Sequence, residues 1–188
     1  MNKFFSIIIL LLLTSCVENT NTNKQNERKI VENKYSVFIP EYLSKTTGLN
    51  QYTTFEYENI EKDFYVIIMD ESKDGFSETV EKNIYDVTPN INGYYEVVKN
   101  HFKNETNLKD FKVFDEIFEL NNAEKKITFT MTGIDMTDNY PVYYRYSIIE
   151  SKTRYYQIMS WTNQKNAKKV ISDMNNIINS FRIEEKQS

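Results

Sequence analysis

Histidine and cysteine are almost missing from this chain of 188 residues: His101 and Cys16 are the only ones. A hydrolytic triad needs a base beside an activated nucleophile, and no serine or cysteine motif accompanies His101, which falls beside the apolar stripe of a predicted helix and reads as structural. One histidine and one cysteine also leave zinc without its usual ligands. Glycine is scarce, and Gly48, Gly75, Gly93 and Gly133 are too scattered to cradle a phosphate. With only Pro40, Pro89 and Pro141 as breaks, long elements joined by polar turns are expected. A basic surplus is lacking too: 23 Lys and Arg against 27 Asp and Glu give a net charge of -4, which argues against nucleic acid as a partner. The composition therefore predicts no catalytic residue, no cofactor and no metal site.

What is present begins at the N-terminus. Lys3 precedes an apolar stretch, Phe4 to Leu13, interrupted only by Ser6. This is the layout of a secretory signal, and it falls short of the roughly 20 apolar residues that span a bilayer. Leu13-Thr14-Ser15-Cys16 follows and resembles the lipobox of bacterial lipoproteins, in which an aliphatic residue and two small ones precede a cysteine that receives diacylglycerol. The resemblance implies cleavage after residue 15, lipidation of Cys16 and attachment to the membrane through that lipid. Each buried methylene contributes about 0.8 kcal/mol, so two or three chains on one residue anchor durably where one chain does not. Loss of residues 1–15 removes Lys3 and no acid, taking the net charge from -4 to -5. Val17 is not the acidic residue associated with inner-membrane retention, so the outer membrane is the expected location.

Residues 16–33 read as the lipidated cysteine and a disordered tether: asparagine recurs at 19, 21, 23, 26 and 33, and Val17, Ile30 and Val31 are the only aliphatic residues. A coil of that length spans on the order of 20 to 25 Å. From residue 34 to 183 the composition is that of one domain, and 184–188 form a frayed tail.

Strand patterns dominate the domain. Lys125 to Asp135 alternates, with Ile127, Phe129 and Met131 on one side and Thr128, Thr130 and Thr132 on the other. Tyr140 to Ser151 and Thr153 to Thr162 pair as a hairpin, and with Phe111 to Leu120 these segments make an antiparallel meander. Tyr35 to Ile39, Thr53 to Tyr57 and Phe64 to Met69 add three strands. Asn163 to Ser180 is an amphipathic helix with Ala167, Val170, Ile171, Met174, Ile177 and Ile178 on one stripe. Asn92 to Asn104 is a second, capped by Asn92. Shorter helices are predicted after Pro40 and over Ser77 to Tyr85.

This order of elements, ending in Asn179-Ser180-Phe181-Arg182, resembles the family of the photosystem II extrinsic protein PsbP, and especially lipoproteins of Bacteroidetes that share the Asn- and Lys-rich composition. Further points of likeness are Ile39-Pro40 closing the first strand and the acidic pair Asp70-Glu71 after a hydrophobic one. The resemblance implies an α+β fold, an antiparallel sheet of about six or seven strands flanked by helices as an α/β/α sandwich, with a C-terminal amphipathic helix. Members of that family do unrelated things, so the fold carries little function.

Two constellations remain. Asp70-Glu71-Ser72-Lys73-Asp74-Gly75 with Glu81 places oxygens at positions 1, 3, 5 and 12 of a calcium loop and glycine at position 6. It reads chiefly as a polar strand-to-helix turn capped by Ser77 or Asp74, and otherwise as a calcium loop. Tyr140, Tyr143, Tyr144, Tyr146, Tyr155 and Tyr156 with Arg145 and Arg154 crowd one hairpin; they read chiefly as core, and otherwise as a contact surface. Lys165, Lys168 and Lys169 read as the solvated side of the last helix. The function expected is a non-enzymatic binding or assembly-support module with an envelope protein as partner. The alternatives are a small-ligand carrier or sensor with a pocket between sheet and helix, or a weak calcium binder at the Asp70 loop. A flat aromatic patch points to a protein partner, and a closed apolar pocket with a few converging polar groups to a ligand.

Overall fold

The computed structural model describes residues 26–31, 34–53, 55–82, 84–120 and 125–184. The elements are β1 (Asn26–Val31), β2 (Tyr35–Pro40), β3 (Ser44–Lys45), β4 (Phe55–Asn59), β5 (Phe64–Ser72), α1 (Lys73–Glu81), α2 (Ile91–Asn104), β6 (Leu108–Leu120), β7 (Lys125–Asp135), β8 (Tyr140–Glu150), β9 (Arg154–Asn163), a 3₁₀ turn over Gln164–Asn166, α3 (Ala167–Ser180) and β10 (Arg182–Ile183). Seven strands pair in the order β3-β4-β5-β9-β8-β7-β6, every neighbour antiparallel. A smaller sheet, β1-β2-β10, is separate. The meander expected from residue 111 onward is therefore four of the seven strands of the large sheet, and the α+β sandwich is the observed architecture.

Strand alternation gives the sheet two faces, each with its own core. Phe64, Val66, Ile68, Ile149, Tyr156 and Ile158 point towards α3 and β2, meeting Met174, Ile177, Tyr35 and Val37. Ile127, Phe129, Met131, Tyr146, Ile148 and Tyr155 point the other way, against Phe76 of α1 and Ile91, Tyr94, Tyr95 and Val98 of α2. The stripe predicted for the C-terminal helix is the buried side of α3, where Val170, Met174, Ile177 and Ile178 are all at most 4% exposed. Tyr35 joins the small sheet to the large one by stacking on Phe181 and meeting Phe55 and Tyr156 edge-on.

Several expectations are corrected. Residues 26–31, predicted as part of a disordered tether, form β1 and pair with β2 along its whole length, from Asn26 opposite Pro40 to Val31 opposite Tyr35. Apolar burial holds β1 only at its end, where Val31 packs against the core, since Ile30 is 70% exposed. Backbone pairing to β2 holds it, with Arg28, which donates to Ser36 and, at 3.0 Å, to Glu184. The rest of the tether, the signal segment and the 185–188 tail lie outside the described residues. No helix follows Pro40; a turn leads into β3, which pairs with β4. The helix predicted over Ser77 to Tyr85 begins at Lys73 and ends at Glu81, because Ser72 is its cap, its hydroxyl accepting from the Gly75 N–H at 3.0 Å. In α2 the cap is Asn90, not Asn92: its side chain accepts from the N–H groups of Asn92 and Gly93. Thr128 and Thr130, on the polar side of β7, are 5% and 0% exposed, so both faces of that strand are covered.

Candidate functional site

The predicted sites fare unequally. Cys16, the lipidation site, lies outside the described residues. His101 is exposed on α2, its Nδ1 3.0 Å from Glu105 Oε2 and its ring edge-on to Phe102. The Asp70 constellation is no loop: positions 1 to 3 end β5 and positions 4 to 12 are α1, so its oxygens cannot wrap an ion as a calcium loop does. Asp70 itself accepts from Lys34 Nζ at 2.9 Å and from Arg154 Nε. The aromatic hairpin is mostly interior. Tyr146, Tyr155 and Tyr156 are at most 1% exposed, and Tyr144 lies half-buried against Phe102 and Trp161. Burial pushes the Tyr144 and Tyr155 phenols up to about 12, with Asp135 adding to the first and Glu150 and Glu71 to the second. Tyr94 is raised further, first by burial and then by Glu71, which accepts its hydroxyl proton at 2.7 Å while Gln157 Nε2 donates to the same oxygen at 2.8 Å. These are ties that hold α2 to the sheet. Lys165, Lys168 and Lys169 are exposed, as expected of a solvated face.

The surface that stands out is β6, which ends the large sheet and pairs only with β7. Its pairing slips twice, between Lys109 and Lys112 and between Phe114 and Ile117. Asp110 and Asp115 sit at these slips with left-handed φ of 54° and 52°, a conformation that aspartate tolerates better than most residues. The second slip sorts the hydrophobic side chains. Phe114 lies opposite Thr130 and Ile117 opposite Thr128, so both face the α3 side, while Phe118 opposite Ile127 and Leu120 opposite Lys125 face the α2 side. Regular alternation would have grouped Phe114, Phe118 and Leu120 on one face. All four stay exposed, at 39%, 48%, 48% and 44% for Phe114, Ile117, Phe118 and Leu120. Tyr95 steadies the slip, its hydroxyl donating to Glu116 and its ring meeting Phe118 edge-on.

Open clefts lie on both faces of the sheet, the first of them against this strand. One of about 460 Å³ runs between Phe118 and the start of α2, lined by Val87, Asn90, Gly93 and Tyr95. Another of about 540 Å³ lies by the end of α3, lined by Lys126, Ile149, Ile178, Phe181, Arg182 and Ile183. Between them, on the α3 side, Thr130 accepts from Arg145 Nη1 at 3.0 Å, and Asn175 of α3 accepts from Arg145 Nε at 3.0 Å. Among the described residues no group of three or more His, Cys, Asp or Glu side chains could hold a metal, and no helix is long and apolar enough to cross a membrane.

One seven-stranded antiparallel sheet with α1 and α2 on one face and a C-terminal helix on the other is a PsbP-like fold. The solution structure of cyanobacterial PsbP from Synechocystis sp. PCC 6803 matches it with a TM-score of 0.57 at 12% identity, covering 91% of this chain and 98% of that one. A crystal structure of a protein of unknown function from Pseudomonas aeruginosa matches with a TM-score of 0.43 at 10% identity, covering 81% and 93%. No family model and no curated protein matches the sequence. At these identities the likeness to PsbP shows the fold alone.

The exposure of β6 was missed in the sequence because it depends on which strand ends the sheet. One local signal existed: Phe114 and Ile117, three apart, break the alternation, and the acidic pair Asp115-Glu116 stands between them.

Proposed function

We propose that this chain is a lipid-anchored protein of the bacterial cell envelope, held through Cys16, whose PsbP-like domain is a non-enzymatic binding and assembly-support module for an envelope protein. The observation that carries the reading is the cluster of four half-exposed apolar side chains within residues 114–120 of an open edge strand. Such an edge invites association unless it is covered or blunted, and aromatic side chains at its centre are the residue types that dominate binding energy. With β1 starting at residue 26, only ten residue steps separate Cys16 from the first strand, a reach of at most about 36 Å. That keeps the domain close to the membrane, the outer one on this reading. A small-ligand carrier is the second reading, favoured by the cleft of about 540 Å³ by the end of α3, whose lining mixes Ile149, Ile178, Phe181 and Ile183 with Asn179 and the cations Lys126 and Arg182.

The test uses the full chain in its native membranes. A photo-cross-linking residue at position 117 captures one protein, and the same group at position 169 on the solvated side of α3 does not. Ile117→Lys with Phe118→Lys abolishes capture by a cross-linker at 114 without lowering the melting temperature, and Cys16→Ser releases the protein from washed membranes. Equal capture from both positions, or membrane retention of the Cys16→Ser chain, refutes the corresponding half of the proposal.

A further inference from the structure

Among the described residues, the half-buried cations of this domain are paired. Lys29, Lys73, Lys99, Lys126 and Arg154, all less than a third exposed, each hold a carboxylate: Glu27 at 2.5 Å, Glu150 at 2.5 Å, Glu96 at 2.6 Å, Glu119 at 2.8 Å, and Asp70 respectively. Arg145 is more buried than a surface cation, at 8% exposure, and among the described residues it makes no ion pair. Its guanidinium carries five N–H donors. Nε serves Asn175 and Nη1 serves Thr130, both neutral acceptors, and among the described residues Nη2 makes no hydrogen bond. That nitrogen is not sealed inside: among the described residues the enclosed side-chain polar atoms without a partner are Glu150 Oε2 and Thr162 Oγ1. A nearly buried cation thus keeps a donor edge open towards solvent. Burial depresses its affinity for the proton, opposed by Tyr143 and Asp115, but an arginine stays charged throughout the physiological range.

Register fixes where this edge lies. Arg145 pairs with Thr130 across β7–β8, and Thr130 pairs with Phe114 across β6–β7, so Arg145, Thr130 and Phe114 form one row on the α3 face. Strands are about 4.8 Å apart, which places Phe114 two strands, or about 10 Å, from the Arg145 backbone, and the guanidinium reaches over Thr130 between them. Ile117 stands one row further along, opposite Thr128. An arginine with no carboxylate at ion-pair distance among the described residues, and Asp115 acting on it only from further off, thus sits beside two exposed apolar side chains, and its free donor is best met by a carboxylate that accepts from Nη2.

We infer that Arg145 is the charged anchor of the β6 docking face and that the partner segment seated there presents a carboxylate to it, flanked by apolar side chains against Phe114 and Ile117. The identity of the occupant as a partner segment rests on the docking reading above; the preference of the site for a carboxylate does not.

Two measurements on the full chain in detergent test this separately. Sodium acetate is titrated while the Arg145 Nε–H and Asn175 side-chain amide signals are followed by NMR, with sodium chloride at equal ionic strength and neutral acetamide as controls. The expected result is a saturable shift with acetate alone, whose Asn175 component disappears in Arg145→Gln. No acetate-specific shift overturns the assignment. In native membranes, Arg145→Gln and the milder Arg145→Lys are then compared with Ile117→Lys for photo-cross-linking from position 114. Loss of one member of a desolvated charge pair lowers capture about tenfold or more in Arg145→Gln, with partial rescue by Arg145→Lys. Capture lost in Ile117→Lys but unchanged in Arg145→Gln overturns the Arg145 assignment and leaves the docking reading standing; capture unchanged in both overturns both.

Discussion

Met174→Ala tests whether α3 fastens the two sheets together. Met174 is 0% exposed at the centre of the cluster that includes Tyr35, Val37 and Ile39 of β2, and Phe64, Val66, Tyr156 and Ile158 of the large sheet. Truncating a buried methionine costs about 2 to 5 kcal/mol, and a wall made of sheet residues relaxes little, so a loss of about 3.5 kcal/mol is expected. For a domain of this size each kcal/mol moves the melting temperature by about 2 to 4 °C, giving a drop of about 10 °C. A urea titration should show the midpoint fall with unchanged slope, while Lys169→Ala, on the exposed side of the same helix, stays within about 0.5 kcal/mol. The small sheet touches the rest mainly through α3 and Tyr35, so β2 amides should lose hydrogen-exchange protection by between about 10²- and 10³-fold, more than those of β7. A loss below about 1 kcal/mol, or equal effects on β2 and β7, would refute the reasoning.

Stability should fall as pH rises from about 10 towards 12. The Tyr144 and Tyr155 phenols ionise near 12 in the folded protein against 10 when unfolded, so the unfolded state gives up its protons first and is favoured over that window; urea melts at pH 8, 10 and 11 report it. Gly93→Ala should destabilise by about 1 to 3 kcal/mol despite the better helix former, because a Cβ there would stand 1.9 Å from the Thr88 carbonyl oxygen; a raised melting temperature would contradict this packing. Millimolar calcium should leave the melting temperature unchanged, since the residues that would encircle the ion are helical from Lys73 onward; an increase would mean that α1 unwinds to bind it.

Most of the large sheet was legible because its strands obey a period of two and its turns carry polar residues. The β8–β9 hairpin and the stripe of α3 emerged with nearly their observed limits. What escaped has specific physical causes. β1 is polar, and composition weighs only side-chain burial, whereas β1 is held by backbone pairing to β2 and by Arg28. The start of α1 escaped because Lys73-Asp74-Gly75 has the composition of a turn, although Ser72 supplies the cap that makes it a helix. Thr128 and Thr130 looked solvent-facing by their chemistry, yet their hydroxyls are satisfied within the interior, by Ser147 at 3.0 Å and by Arg145. The candidate site was the least legible part. Of the aromatic residues most conspicuous in the sequence, Tyr146, Tyr155 and Tyr156 went to the core, while the four exposed apolar side chains of β6 were distinguished only by belonging to the last strand of the sheet.

Position at the edge carries a hazard that β6 also answers. A flat edge strand of thirteen residues would template pairing with any extended chain, including another copy of itself. The two slips, each marked by an aspartate with left-handed backbone, leave no long uninterrupted ladder on its open side, which disfavours strand addition along the whole edge. They do not hide the side chains. The slip at Asp115 distributes Phe114 and Ile117 to one face and Phe118 and Leu120 to the other, so a partner that recognises side chains meets apolar surface on either side of an edge whose backbone is poorly suited to continuous pairing. The same irregularity that guards the strand against indiscriminate association thereby keeps it available for a shaped and charged partner, and Arg145 in the row behind Phe114 sets which charge that partner must bring.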